Sequence, residues 1–288
     1  MPNICYYDFY KAKGSPENIG ANERRIRLYL AHWGLQRQPF ENTLDLRFLY
    51  LSSQHEEALS RLSYVIESRK EAAVLTGEVG CGKSLLCRTL MHKLSEENYT
   101  VGFIPNPQYS ALEFLQALLF SLGERELPEK KLPLLVALQK KLGEEAEKGK
   151  HCVAVIDEAH LMSATTLEEA RLLLNYQFPD RIIFTLILVG QPELKDLVEQ
   201  NRPLDQRVFL KYHLFPLALE ETAAYMTFRL KQAGLLENVF SPTAIEQIAA
   251  VTGGIPRRIN TVCDLCLLAG YGAGVKQINA DVVNAVVT

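Results

Sequence analysis

Ala72-Ala73-Val74-Leu75-Thr76-Gly77-Glu78-Val79-Gly80-Cys81-Gly82-Lys83-Ser84-Leu85-Leu86-Cys87-Arg88-Thr89-Leu90 runs from an apolar segment, through three closely spaced glycines and a lysine, into an amphipathic stretch. Its centre, Gly77 to Ser84, fits the pattern G-x-x-x-x-G-K-[ST] and stands where the mechanics of that pattern require, between a buried strand and a helix. Glycines let the backbone curl so that successive N–H groups point into one hollow. The start of the helix adds partial positive charge facing that hollow. Gly77, Glu78, Val79, Gly80, Cys81, Gly82, Lys83, Ser84 and Leu85 are therefore the candidate residues around the phosphates of a nucleotide. Lys83 would reach those phosphates as a point charge, and the Ser84 hydroxyl would give an oxygen ligand to a bridging Mg²⁺.

The chain of 288 residues is 48% hydrophobic and 23% charged, ordinary for a globular protein able to bury one large core or two smaller ones. Its formal charge of −3 gives no bulk attraction to nucleic acid, so any such contact needs a local basic patch. The start, Met1-Pro2-Asn3-Ile4-Cys5-Tyr6-Tyr7-Asp8, has no basic region followed by an apolar stretch, and no run of about 18 apolar residues occurs anywhere. The expectation is a cytoplasmic chain with no transmembrane segment of its own. Six cysteines fall without a secreted-scaffold framework, so reduced thiols are expected. Cys263 and Cys266 sit in a helix-like apolar pattern and read as core, not as half of a zinc site. Cys81, placed in the loop, is expected to be exposed whenever the site is empty, so that alkylation would block nucleotide binding.

Three segments follow from the pattern. Residues 1–36 read as an N-terminal arm with an aromatic cluster (Tyr6, Tyr7, Phe9, Tyr10) and a helix from Asn22 to Trp33 whose Arg24, Arg25 and Arg27 read as a solvated face, with contact to phosphates or a neighbouring subunit as the alternative. Residues 37–215 alternate strands and helices, which implies an α/β domain with a parallel sheet. Helices are expected at about 54–68, 110–122 and 131–148, and strands at about 99–104, Val153–Ile156 and Ile182–Val189. The last two are expected beside the strand that enters the loop. Residues 216–288 show helices at about 219–232, 242–251, 256–269 and 279–287, with Ser241-Pro242 as a helix start, and read as a separate helical lid.

Val153-Ala154-Val155-Ile156-Asp157-Glu158-Ala159-His160 puts two carboxylates at the C-terminal end of a buried strand, the edge at which open α/β sheets bind ligands. Asp157 would hold Mg²⁺ through water, and Glu158 would orient and polarise an attacking water. His160 reads as a helix-start residue, with phosphate or partner sensing as the alternative.

The phosphate loop, the Asp157-Glu158 strand end, a further strand ending in a polar residue and a run of C-terminal helices together resemble AAA+ ATPases, and within them the ExeA/GspA (general secretion pathway A) group. The carriers are His32-Trp33-Gly34-Leu35 with Pro39-Phe40, Arg47-Phe48-Leu49-Tyr50-Leu51 with His55 and Glu57-Ala58-Leu59, Leu75-Thr76-Gly77-Glu78-Val79-Gly80, Leu188-Val189-Gly190-Gln191-Pro192-Glu193-Leu194, and Gly253-Gly254-Ile255-Pro256-Arg257-Arg258-Ile259-Asn260. The resemblance implies an α/β P-loop NTPase (AAA+) fold with a parallel sheet flanked by helices and a C-terminal all-helical lid. It implies ATP and Mg²⁺ as cofactors and hydrolysis of ATP to ADP and phosphate.

It further implies that Gln191 is the polar sensor at a strand end, that Arg257 is the lid arginine facing the γ-phosphate, and that Arg207 is presented to the site of a neighbouring subunit, with Arg202 as its competitor. A residue acting in trans requires a homo-oligomer, ring or filament. The first job implied is assembly or remodelling of a secretion or pilus-type protein complex at the envelope, peripheral to the inner membrane through a partner. The second is a transposition regulator that assembles on double-stranded DNA with ATP and recruits a transposase. Adenine recognition is expected near 37–55.

Overall fold

The computed structural model describes residues 21–43, 45–235 and 237–287. Helices α1 (Ala21–Trp33) and α2 (Ser53–Glu67) precede β1 (Ala72–Gly77), α3 (Lys83–Lys93), β2 (Tyr99–Ile104), α4 (Ala111–Ser121), α5 (Lys131–Glu147) and β3 (His151–Ile156). Then come α6 (Ala164–Leu173), a short antiparallel pair β4 (Gln177–Phe178) and β5 (Arg181–Ile182), β6 (Phe184–Gly190), α7 (Glu193–Gln200), α8 (Arg202–Asp205) and β7 (Val208–Leu214). The chain closes with α9 (Leu219–Gln232), α10 (Pro242–Thr252), α11 (Pro256–Ala273) and α12 (Ala280–Val287).

The main sheet is parallel throughout, in the order β2-β3-β6-β1-β7. Every residue of β1, β3 and β6 is buried, as both faces of a parallel sheet must be when helices cover them. Side chains alternate between the two layers. Ala72 and Val74, Cys152, Ala154 and Ile156, and Leu186 and Leu188 face the side holding α4, α5 and α6. Ala73 and Leu75, Val153 and Val155, and Ile187 and Val189 face the side holding α2 and α3.

One expectation is corrected here. β3 does not lie beside β1, because the longer, wholly buried β6 separates them. The other flank of β1 is taken by β7, a strand whose exposed Phe209 and Lys211 alternate with less exposed residues, as an edge strand allows. Register then fixes the upper rim: Thr76 sits opposite Gly190, and Ile156 opposite Leu188. Gly77, Asp157 and Gln191 thus leave the sheet at neighbouring points of one edge.

The C-terminal helices form their own apolar cluster, and it reaches further back in the chain than residue 216. Tyr29, Trp33, Leu35, Phe40 and Phe48 are buried in it beside Met226, Leu230, Ile259 and Leu267. Trp33 Nε1 donates to the Leu267 carbonyl at 3.0 Å. The Arg229 guanidinium, 5% exposed, donates to the carbonyls of Pro39 (2.6 Å) and Glu41 (2.7 Å) and stacks over Phe48. Cys263 and Cys266 are fully buried in this cluster. Ser241 Oγ accepts from the Ala244 N–H, capping α10 as its Ser-Pro start implies. Arg27 is exposed; the aromatic residues at 6–10 and the side chains of Arg24 and Arg25 lie outside the described residues. Among the described residues no helix is long and apolar enough to cross a membrane.

Candidate nucleotide site

The loop between β1 and α3 is built as its glycines require. Gly80 and Gly82 have φ of 91° and 97°, values that L side chains rarely adopt, and Gly82 caps the N-terminus of α3. A Cβ on Gly80 would stand 2.7 Å from Cβ of Arg257, so the missing side chain is also what lets the start of α11 rest on the loop. There the Arg257 N–H donates to the Gly80 carbonyl at 3.3 Å, with the Arg257 side chain exposed. Ile255 joins the apolar cluster of Cys81 and Leu86 below the loop.

Lys83 is 7% exposed, and its Nζ donates to the carbonyls of Gly77 (2.7 Å) and Glu78 (2.9 Å). Burial pulls this ammonium below the ordinary lysine value. Ser84 is half-buried in the first turn of α3, while Glu78 and Val79 are exposed at the mouth. Asp157 is buried at the end of β3 and accepts the Glu158 N–H on Oδ1 at 2.9 Å. Glu158 itself has φ 52°, a left-handed conformation that costs a non-glycine residue about 1–2 kcal/mol, and it keeps 43% of its side chain exposed. Such strain at a strand end re-aims a side chain. Gln191, half-buried at the end of β6, completes the rim.

Two histidines that sequence reasoning placed only loosely are part of this site. His55, 5% exposed, sends Nε2 to the Cys81 carbonyl (2.9 Å) while its Nδ1 meets Ser52 Oγ (2.7 Å). A carbonyl can only accept, so Nε2 carries the proton, and burial holds the ring below the ordinary histidine value. His55 thus braces the loop from α2. His160 lies between Glu158 and Gln191. The presence of His55 among the quoted motifs hinted at the first; the second stood in the sequence as a helix-start residue with phosphate or partner sensing as its alternative.

The Cys81 expectation is overturned. Its thiol is 1% exposed among Leu59, Leu62 and Leu86, and burial raises its pKa, so the side chain is shielded from alkylation. Arg207 is not part of this rim. It sits at the opposite end of β1, where Nη1 meets Glu71 Oε1 (2.8 Å) and the Leu174 carbonyl (3.2 Å), and Nη2 meets Asn175 Oδ1 (2.7 Å). Glu71 precedes the first residue of β1 and the loop follows its last, a separation of roughly 20 Å along a six-residue strand. Arg202, at the start of α8, is exposed.

A parallel sheet in this order, with the lysine loop after one strand and a carboxylate pair after another, is that of a P-loop NTPase, and the comparisons agree. The family described as "AAA domain" (AAA_22) matches residues 66–198. The ORC2 protein of Aeropyrum pernix, solved as ADPNP-ADP complexes, superposes with a TM-score of 0.65 at 16% identity, covering 88% of this chain and 71% of that one. General secretion pathway protein A of Aeromonas hydrophila is 35% identical over 257 residues, 87% of this chain and 46% of the relative. ATP-dependent target DNA activator B of Escherichia phage Mu is 28% identical over 210 residues, 73% of this chain and 63% of the relative. The fold and site define an AAA+ P-loop ATPase domain. Within that class the chain belongs to the general secretion pathway A type, although it spans only about half the length of the curated relative of that name.

Proposed function

We propose that this chain binds Mg²⁺·ATP at the Gly77–Ser84 loop, hydrolyses it, and couples the cycle to assembly or remodelling of a partner complex as a homo-oligomer, ring or filament. The observation that carries the reading is the Lys83 ammonium. It is buried, and its hydrogen bonds among the described residues go to two neutral carbonyls, which leaves a desolvated cation suited to an anionic ligand. Ser84 and the buried Asp157 would hold the metal; bound there, it would neutralise charge building on the phosphates. Glu158 is the base that orients water, Gln191 and Arg257 are the groups that touch the γ-phosphate, and Arg207 or the exposed Arg202 serves the site of a neighbour. The lid comprises residues 216–288, the nucleotide-binding unit 37–215, and the arm 1–36.

The partner favoured is a secretion or pilus-type protein complex at the envelope, reached from the cytoplasm and from the inner face of the membrane through that partner. The longer similarity to general secretion pathway protein A supports this. So does the pairing of three lysines on α5. Lys131 pairs with Glu169, Lys140 with Glu144, and Lys141 with Glu124 and Glu145, which leaves these positions little surplus charge for a phosphate backbone. The second reading, assembly on double-stranded DNA and recruitment of a transposase, rests on the similarity to the phage activator. Glu158→Gln separates them. It should retain ATP and lose about 10²–10⁴-fold in turnover, trapping assemblies that electron microscopy can count with and without DNA. Salt-sensitive assembly only on DNA would replace the envelope reading. Turnover unchanged by the substitution would remove Glu158 as the base, and a wild type that does not turn over ATP would remove the ATPase reading.

A further inference from the structure

We propose that His160 is a positioning residue that ties Glu158 to Gln191, so that the aim of the base follows the state of the sensing amide. The inference rests on the reading of Glu158 as the group that readies water for attack on ATP. Its geometry is independent of that reading. His160 is 10% exposed in its side chain, two residues beyond Glu158, in a short 3₁₀ turn that starts from the left-handed Glu158 backbone. Its Nδ1 lies 3.5 Å from Glu158 Oε2 and 3.4 Å from the Gln191 backbone nitrogen, so the tautomer with a proton on Nδ1 donates to the carboxylate and the other accepts the Gln191 N–H. Its Nε2 lies 2.9 Å from the side-chain amide of Gln191, a group that serves either imidazole tautomer by a half-turn.

The place for the ring is kept open by the residue before Gln191. A Cβ on Gly190 would stand 3.2 Å from His160 Nδ1 and 3.1 Å from His160 N, inside ordinary contact distance. One imidazole therefore bridges the ends of β3 and β6, strands that are direct neighbours in the sheet. The consequence is a chain of contacts from Gln191 through the ring to the strained Glu158. A phosphate that draws the Gln191 amide away from His160 frees the ring to turn, and the carboxylate with it. Among the described residues no hydrogen bond or ion pair of His160 goes to Lys83 or the glycine loop, so its effect belongs to the chemical step and not to ATP retention.

The test compares His160→Ala, Gln191→Ala and the double variant with wild type, all as full-length chain with Mg²⁺ present, in ATP turnover and ATP affinity. The proposal expects His160→Ala to lower kcat by about tenfold or more with KM and Kd for ATP within about twofold, and the double variant to be no slower than the slower single within about twofold. His160→Gln, which keeps a polar reach toward Gln191, recovers turnover that His160→Leu does not. Unchanged kcat in His160→Ala, a loss of ATP affinity as large as the loss of kcat, or single losses that multiply in the double variant would each overturn it. Wild type that does not turn over would instead refute the ATPase reading. The tie is then decided by nuclear magnetic resonance: the ring nitrogen signals of His160, assigned by their loss in His160→Gln, should move in both Glu158→Gln and Gln191→Ala, and signals that stay put in both sink it.

Discussion

The two rims of the central sheet are made by the same buried strands and behave in opposite ways. At the rim where β1, β3 and β6 end, Lys83 donates to two carbonyls, Glu158 is strained and 43% exposed, and the loop depends on braces from His55 and Arg257. At the rim where they begin, polar groups are mostly paired with one another, although the buried Nδ1 of His151 has no hydrogen-bond partner among the described residues. Arg207 is fixed by Glu71, Leu174 and Asn175; Thr185 Oγ1 donates to the Lys70 carbonyl at 2.6 Å and receives His151 Nε2 at 2.7 Å. The contrast teaches where stability and function separate. Groups at the upper rim are held at some cost to the fold, as sites that await a ligand are, whereas groups at the lower rim hold the fold itself.

The strongest way to break that contrast is Lys83→Met. Charged hydrogen bonds to phosphate are worth about 1.5–3 kcal/mol each, so ATP affinity should fall at least about 100-fold. Removing a buried, desolvated cation should at the same time leave thermal stability equal or higher. Titration with a fluorescent ATP analogue and a melting curve read both, and a melt several degrees lower with binding intact would reverse the assignment of the rim.

Gly254→Ala comes next and tests how the C-terminal helices are seated. Gly254 has φ 71°, and an added Cβ would fall 2.0 Å from the carbonyl oxygen of Leu217, a residue whose own N–H donates to the Gly254 carbonyl at 2.9 Å. Left-handed strain plus a backbone clash should cost on the order of 3 kcal/mol in urea unfolding. A cost near zero would mean that this junction yields freely.

Acid should weaken the lower rim. Burial, with help from the charge of Arg69, pushes His151 down from 6.5 to about 4. The unfolded chain therefore binds a proton that the folded chain refuses between those values. Stability from this residue is complete above pH 6.5 and is lost as the pH falls toward 4, by about 3 kcal/mol at the bottom of that window. Chemical denaturation across this range, compared with His151→Phe, should show a flatter profile in the variant; equal slopes would place the acid sensitivity elsewhere.

The smallest effect is Arg207→Ala in the isolated subunit. Its pair with Glu71 is about three-quarters buried on each side and it also bonds Leu174 and Asn175, so its removal should cost about 1–2 kcal/mol. A much larger destabilisation would make Arg207 a keystone of the lower rim and leave Arg202 as the residue available to a neighbour.

How much of this was legible in the sequence follows from what kind of information each feature needs. Gly77–Ser84, Asp157-Glu158 and the helix starts at Ser241-Pro242 are local patterns, and local patterns survive translation into structure. Strand order is not local. Val153–Ile156 and Ile182–Val189 both read as buried, but burial alone does not say which of them adjoins β1. β7 was not expected, because Val-Phe-Leu-Lys-Tyr-His-Leu mixes apolar and polar residues as only an edge strand tolerates. The role of His160 depends on a partner 31 positions away, and that of His55 on one 26 away, distances across which spacing carries no signal. Cys81 misled for the same reason: its place in the loop was plain, while the leucines that cover it come from α2 and α3.

The grip of Arg229 on residues 39 and 41, and of Leu267 on Trp33, has a bearing on biosynthesis. Trp33 and its acceptor are 234 positions apart, so at roughly 5–20 residues per second the indole leaves the ribosome some ten to fifty seconds before its partner exists. Tyr29, Trp33, Phe40 and Phe48 spend that interval as uncovered apolar surface. The nascent chain must keep these earlier residues from sticking while the later ones that cover them are still being made.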